Sequence, residues 1–183
     1  AAGNTVVVKP SELAPHTADC VEIIIKLAFP PEWVTVVQGG PEVGKSLIAE
    51  KWDFIMYTGG VQVAKIVAAA AAEHLTPTLL ELGGQNPCIV DNTAQIKVAA
   101  RRIVFGKFLN CGQTCIAPDY VLVHSSVKHA LVNAIIEAIQ ESYGADQSHS
   151  EDYGHIINDY HFKRLTSLLQ SQNIMYGGHT NSK

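Results

Sequence analysis

Clustered basic residues, long apolar runs and metal-ligand spacings are all missing from this sequence, and each absence excludes a class of function. Thirteen Lys and Arg stand against 17 Asp and Glu, a net charge of −4. A nucleic-acid surface needs Lys and Arg gathered on one face, and the adjacent pair Arg101-Arg102 falls inside a helical pattern where it reads as a solvated face. No stretch of eighteen apolar residues is present, so no spanning helix is expected. The opening AAGNTVVVKP lacks the basic segment and long apolar run of a signal peptide. Eight His residues occur without an HExxH-like spacing; the pairs His124/His129 and His155/His161 do not present two ligands on one helix face, so no metal site is expected. Four cysteines (Cys20, Cys88, Cys111 and Cys115) are few for a disulfide scaffold of 183 residues. Free thiols in a reducing, cytoplasmic compartment are the expectation.

The sequence does have a core and a regular alternation. Hydrophobic residues make up 47% and charged residues 16%, a globular balance, and the length suits one domain or two small ones. TVVV (5–8), WVTVVQ (33–38), DFIMYTG (53–59), TPTLLELGG (76–84), PCIVD (87–91) and YVLVHS (120–125) read as strands. Between them KPSE (9–12) reads as a helix start leading into 17–28, and 42–51, 61–75 and 93–109 carry helical patterns. Asn92 or Thr93 is the expected cap of the last of these. Helices are also expected over 127–144, ending on Gly144, and over 159–170. Strands separated by helices of this length predict β-α-β units around a parallel sheet. A buried strand starting almost at the first residue suggests an internal fragment of a longer chain, and Gly83-Gly84 is the candidate domain junction.

Three motifs carry possible chemistry. GGPEVGKS (39–46) satisfies the phosphate-loop pattern, with Lys45 for phosphate and Ser46 for magnesium; a nucleotide triphosphatase is therefore one reading, and a solvated turn is the other. ELGG (81–84) puts the carboxylate of Glu81 at the end of an apolar strand, where ligands bind in α/β sheets, beside two residues that let a backbone or ligand approach closely. NCGQTC (110–115) places two thiols four residues apart. They could be core packing, a disulfide, a metal clip or a nucleophile. A thiol that reacts does so as thiolate, and a backbone N–H beside it can serve a developing oxyanion.

Taken together, GNTVVVKPSE (3–12), YTGG (57–60), LELGGQNPCIVD (80–91) and GKFLNCGQTCIAPDY (106–120), in this order and spacing, resemble the aldehyde dehydrogenase family. APDY and DYGHIINDYHF (152–162) most resemble its class 3 branch, which acts on medium-chain and aromatic aldehydes. The resemblance implies a parallel-sheet, Rossmann-like dinucleotide-binding domain over 1–84 and the start of an α/β catalytic domain over 85–183. It implies NAD or NADP as cofactor and NAD(P)-dependent oxidation of an aldehyde to a carboxylic acid through a Cys115 thioester. In that reading Cys115 is the nucleophile and Glu81 the base that activates water. Lys9 and Glu12 bind the adenosine ribose, the Gly59-Gly60 turn opens a helix beneath the pyrophosphate, and Leu82 also belongs to the cofactor site. Gly60 stands where the family usually has Ser, and the Glu12 charge leans toward NAD over its 2′-phosphorylated form. GGPEVGKS becomes a turn near the adenosine, and Cys111 is packing at a helix end. The resemblance also implies a homodimer when full-length, with a second oxyanion donor and a nicotinamide-ribose segment outside these residues, so the isolated chain is expected to be nearly inactive. A membrane tail beyond the present end is left open, and a catalytically silent relative is the remaining alternative.

Overall fold

The computed structural model describes residues 2–169 and 173–181. The chain divides into two compact units, Ala1–Glu81 and Leu82–Lys183.

The first unit contains two parallel strand pairs. β1 (Val6–Val8) runs beside β2 (Val34–Val36), in the register Val6 to Val34, with α1 (Pro15–Ala28) as the crossover. The helix starts later than KPSE predicted. The Ser11 hydroxyl accepts the Leu13 N–H at 3.2 Å inside a local turn, and Pro15, which has no N–H to satisfy, takes the first helical turn. α2 (Pro41–Ala49) follows β2. β3 (Ile55–Thr58) then pairs in parallel with β4 (Thr78–Glu81), from Ile55 opposite Thr78 to Thr58 opposite Glu81. Their crossover, α3 (Val61–Glu73), buries Ala64, Val67 and Ala71, one stripe at helical spacing. Below it, Thr76 is buried and its hydroxyl donates to the Trp52 carbonyl at 2.9 Å.

The second unit repeats the plan once. β5 (Asn86–Val90) and β6 (Pro118–Val123) are parallel, with an irregularity at Asn86/Pro87, and α4 (Ile96–Phe108) crosses between them. The last strand begins two residues before the predicted YVLVHS; a proline donates nothing to a ladder, and Pro118 fits at a strand's first residue. α4 begins at Ile96, behind the predicted start. The Asp91 carboxylate accepts the Thr93 N–H at 2.9 Å and its hydroxyl at 2.8 Å, so Thr93 closes a turn and caps nothing. α5 (Lys128–Tyr143) ends on Gly144 at φ 83°, the positive value that favours glycine. Val90, Ala100, Ile103, Leu131 and Ala134 form the core where β5, α4 and α5 meet. α6 covers Asp159–Leu169; residue 170, the predicted end of this helix, lies outside the described residues. The described strands form three parallel pairs, each closed by its own crossover helix; β1 and β2 are only three residues long.

Candidate active site

In the first unit the functional candidates collect at the carboxyl ends of the strands. Lys9 directly follows β1, and its ammonium meets the Glu12 carboxylate at 3.1 Å and the Pro10 carbonyl at 3.1 Å. The Glu12 backbone N–H and the Lys9 side chain hold the Glu12 carboxyl below its usual pKa of 4.5. The pair is partly open to solvent, with side chains 21% and 38% exposed, so both groups are reachable. The Lys9 stem passes along Gly44 of α2, 3.6 Å from where a Cβ would stand.

At the next strand pair, the Gly59 N–H donates to the Glu81 carbonyl at 3.0 Å, which ties the Gly59-Gly60 turn to the end of β4. Gly60 is the N-cap of α3 and offers no side chain to the first helical N–H groups; α3 has no acid in its first turn, and a Cβ at Gly60 would meet nothing within 4 Å. The positive end of a thirteen-residue helix is therefore left open, a place suited to an anion. Glu81 is exposed at the end of β4, and Leu82, half-buried, begins the second unit.

GGPEVGKS does not form a phosphate loop. α2 already begins at Pro41, the Gly44 N–H donates to the Gly40 carbonyl at 3.2 Å, and the backbone that would cradle a phosphate is engaged in helix. Lys45 pairs with Glu42 at 2.9 Å, and the Ser46 hydroxyl donates to the Glu42 carbonyl at 3.1 Å. The triphosphatase reading fails because Pro at the first helical position starts the helix four residues ahead of the lysine.

In the second unit, α4 gives way to a 3₁₀ turn, Leu109–Gly112, in which Asn110, Cys111 and Gly112 take φ of 52°, 55° and 75°. Left-handed backbone at two non-glycine residues costs on the order of 1 kcal/mol each, a strain typical of functional turns. Gly112 cannot carry a side chain there, since a Cβ would lie 3.0 Å from the Lys107 carbonyl. Cys111 was expected within the helix end. The left-handed turn takes it out of the helix and swings its thiol against Gly154, where an added Cβ would sit 2.9 Å from the sulfur. Packing remains its role. Phe108, Tyr143 and Tyr153 pack on one another with ring centroids 5.2 to 6.1 Å apart, and burial, then the nearby Cys111 and Tyr143, raises the Tyr153 hydroxyl above its usual pKa.

Cys115 follows on the next turn, closed by the Ala117 N–H on the Thr114 carbonyl at 3.0 Å. Its side chain is exposed. Among the described residues no acceptor meets the Cys115 backbone N–H. The Cys115 carbonyl, by contrast, is held: Asn86 donates to it at 2.7 Å and to the Ala117 carbonyl at 3.1 Å. Gly84 makes that approach possible, because a Cβ on it would stand 2.1 Å from the Cys115 carbonyl oxygen. The close approach expected of Gly83-Gly84 is thus made by Gly84; Gly83 has open space. Asn86 was not singled out in the sequence, although it lies within LELGGQNPCIVD; nothing local distinguishes a polar residue at a strand start from one with a partner 29 positions away. No group of three or more His, Cys, Asp or Glu among the described residues is placed to hold a metal.

The chain is similar to known proteins along its whole length. It is 50% identical over 182 residues to 4,4'-diaponeurosporen-aldehyde dehydrogenase of Staphylococcus aureus, covering 98% of this chain and 40% of that one. It is 48% identical to the dimeric NADP-preferring aldehyde dehydrogenase of Mus musculus, covering 97% of this chain and 39% of the relative. The solved substrate-bound state of Staphylococcus aureus AldH superposes with a TM-score of 0.89 at 49% identity, over 98% of this chain and 40% of that one. The chain therefore spans about 40% of the length of the curated relatives it matches. The aldehyde dehydrogenase family model matches residues 1–181, and with a parallel α/β fold and the Glu-Leu-Gly-Gly and Gly-Gln-Thr-Cys segments at the strand end and turn just described, this chain belongs to the aldehyde dehydrogenase family.

Proposed function

We propose that this chain carries the nucleophile, the general base and much of the cofactor site of an NAD- or NADP-dependent aldehyde dehydrogenase. The observation that carries this reading is the Cys115 turn, with its exposed thiol and a backbone N–H that no described group accepts. The residues of the first unit fit a dinucleotide. Lys9 donates and Glu12 accepts, as the two hydroxyls of an adenosine ribose require, and the uncapped start of α3 suits a pyrophosphate. When bound, the nicotinamide supplies the hydride acceptor.

The chain's own residues perform the rest. The Cys115 thiolate adds to the aldehyde carbon, and its backbone N–H donates to the alkoxide oxygen that forms. Loss of hydride from that carbon leaves an acyl group on the sulfur. Glu81 takes a proton from water as the water oxygen attacks the acyl carbon; the carbon–sulfur bond breaks, the acid departs and the thiolate returns. Glu81 also assists in deprotonating Cys115 before attack, a step that solvent base can replace. The complete enzyme is a cytoplasmic homodimer in this reading, which the four free thiols and the dimeric mouse relative support. Its substrates are medium-chain and aromatic aldehydes.

The test is direct. The full-length polypeptide, supplied with a medium-chain or aromatic aldehyde and either NAD⁺ or NADP⁺, is expected to form reduced nicotinamide and carboxylic acid in equal amounts. No turnover with any such aldehyde would leave a catalytically silent relative. A second outcome concerns Gly60. The space around it is open, so Gly60→Ser adds a capping hydroxyl at the helix start without a clash. Cofactor affinity is expected to rise about two- to ten-fold by titration, from one additional charge-assisted hydrogen bond.

A further inference from the structure

We propose that Asn86 is the positioning residue for the nucleophile, an inference that rests on Cys115 being that nucleophile. Two carbonyls bracket the turn that bears the thiol, and one carboxamide takes both, Cys115 at 2.7 Å and Ala117 at 3.1 Å. Both partners are acceptors, so the amide nitrogen must face them, and the amide oxygen cannot substitute. Apolar burial holds this turn at one residue only. Cys115 is exposed and Ile116 is 79% exposed; only Ala117 is buried. The hydrogen bonds from Asn86 therefore tie the exposed part of the turn to the body of the unit.

That body is firm. Asn86 is the first residue of β5, which pairs with β6 through to Val90 opposite Val123, and Val90 lies in the core. Gly84, two residues before, leaves the space the Cys115 carbonyl occupies. With the carbonyl fixed, the peptide after Cys115 cannot rotate, and the direction of its Cα–Cβ bond is set. The thiol then chooses only its side-chain rotamer, while the free N–H on the same residue keeps its aim at the reacting oxygen. Catalysis is sensitive to such placement: a displacement of about 1 Å costs on the order of 100-fold in rate.

Three substitutions in the full-length enzyme test this. Asn86→Asp keeps the shape and turns an acceptor toward two carbonyls, Asn86→Ala removes both bonds, and Asn86→Ser leaves at most one donor. The expected result is a kcat lower by roughly 10- to 100-fold in the alanine variant, lower still in the aspartate variant and intermediate in the serine variant, with KM for cofactor within about two-fold of the parent. Rates are expressed per Cys115 that iodoacetamide labels in the folded protein, so that a merely destabilised variant, with fewer competent sites of normal rate, is recognised. A per-site kcat within two-fold of the parent in both the alanine and aspartate variants overturns the inference. If those two do not fold, a serine variant at parental rate overturns it equally. Cys115→Ser is run in parallel. Activity in that variant removes the nucleophile reading and this inference together, whereas a silent Cys115→Ser beside fully active Asn86 variants removes the inference alone.

Discussion

Replacing Cys115 by alanine in the full-length enzyme is expected to abolish aldehyde-dependent formation of reduced nicotinamide, a fall of at least about 1,000-fold, because no bond to the substrate carbon can form without the sulfur. The thiol is exposed, so its loss opens no cavity, and the thermal midpoint is expected to stay within about 2 °C of the parent. Cofactor affinity should also be unchanged, since the ribose pair and the α3 helix start belong to the first unit. The other thiols serve as controls. Cys88 is half-buried on β5, and Cys111 is packed against Gly154, so alanine at either position leaves the chemistry in place. Retention of more than about one per cent of activity by the Cys115 variant, measured against the thiol-to-alanine controls, would place the nucleophile elsewhere.

Glu81→Gln is expected to give a different signature. The amide keeps the shape of the carboxylate and cannot take a proton from water. Substrate should still acylate Cys115, and one equivalent of reduced nicotinamide per site should appear as a burst. Steady turnover should then fall by about 100- to 1,000-fold, because the acyl group waits on unassisted hydrolysis. Rapid mixing with acid quench distinguishes the two phases, and mass spectrometry of the quenched protein should find the acyl group on Cys115. A variant that loses the burst itself would move the main work of Glu81 to deprotonating the thiol. Exposure of Glu81 at the end of β4 means that neither result should come from misfolding.

Much of the architecture was legible in local sequence. The β-branched runs at 6–8 and 34–36, the apolar run at 55–58 and the Ala-rich helix after Gly60 alternate as β-α-β units require, and the pairs that form are parallel. Gly144 ends its helix and Gly112 makes its turn for the backbone reasons their positions suggest. Element starts were less legible. Pro10 and Pro15 both lie in helix-initiating contexts, and only the engagement of Ser11 with Leu13 shows that the first belongs to a turn. Thr93 looked like a cap until Asp91 was seen to take both its donors. The phosphate-loop pattern was complete at every fixed residue, and it failed on the helix that begins at Pro41, one of the positions the pattern leaves unspecified.

By itself the sequence determined what chemistry is available: a thiol after Gly-Gln-Thr, a carboxylate before Leu-Gly-Gly, a lysine and a glutamate after the first strand, and crossover helices of the length that parallel strands demand. These are properties of residues and of short-range periodicity, which the chain carries before it folds. Tertiary structure alone decided which backbone groups remain free and which are held. It gave the Cys115 carbonyl to an asparagine 29 residues away, cleared its path at Gly84, and left the neighbouring N–H unclaimed. Those choices depend on which strands pair and in what register, and hydrogen-bond partners so far apart along the chain are set only when that pairing is complete.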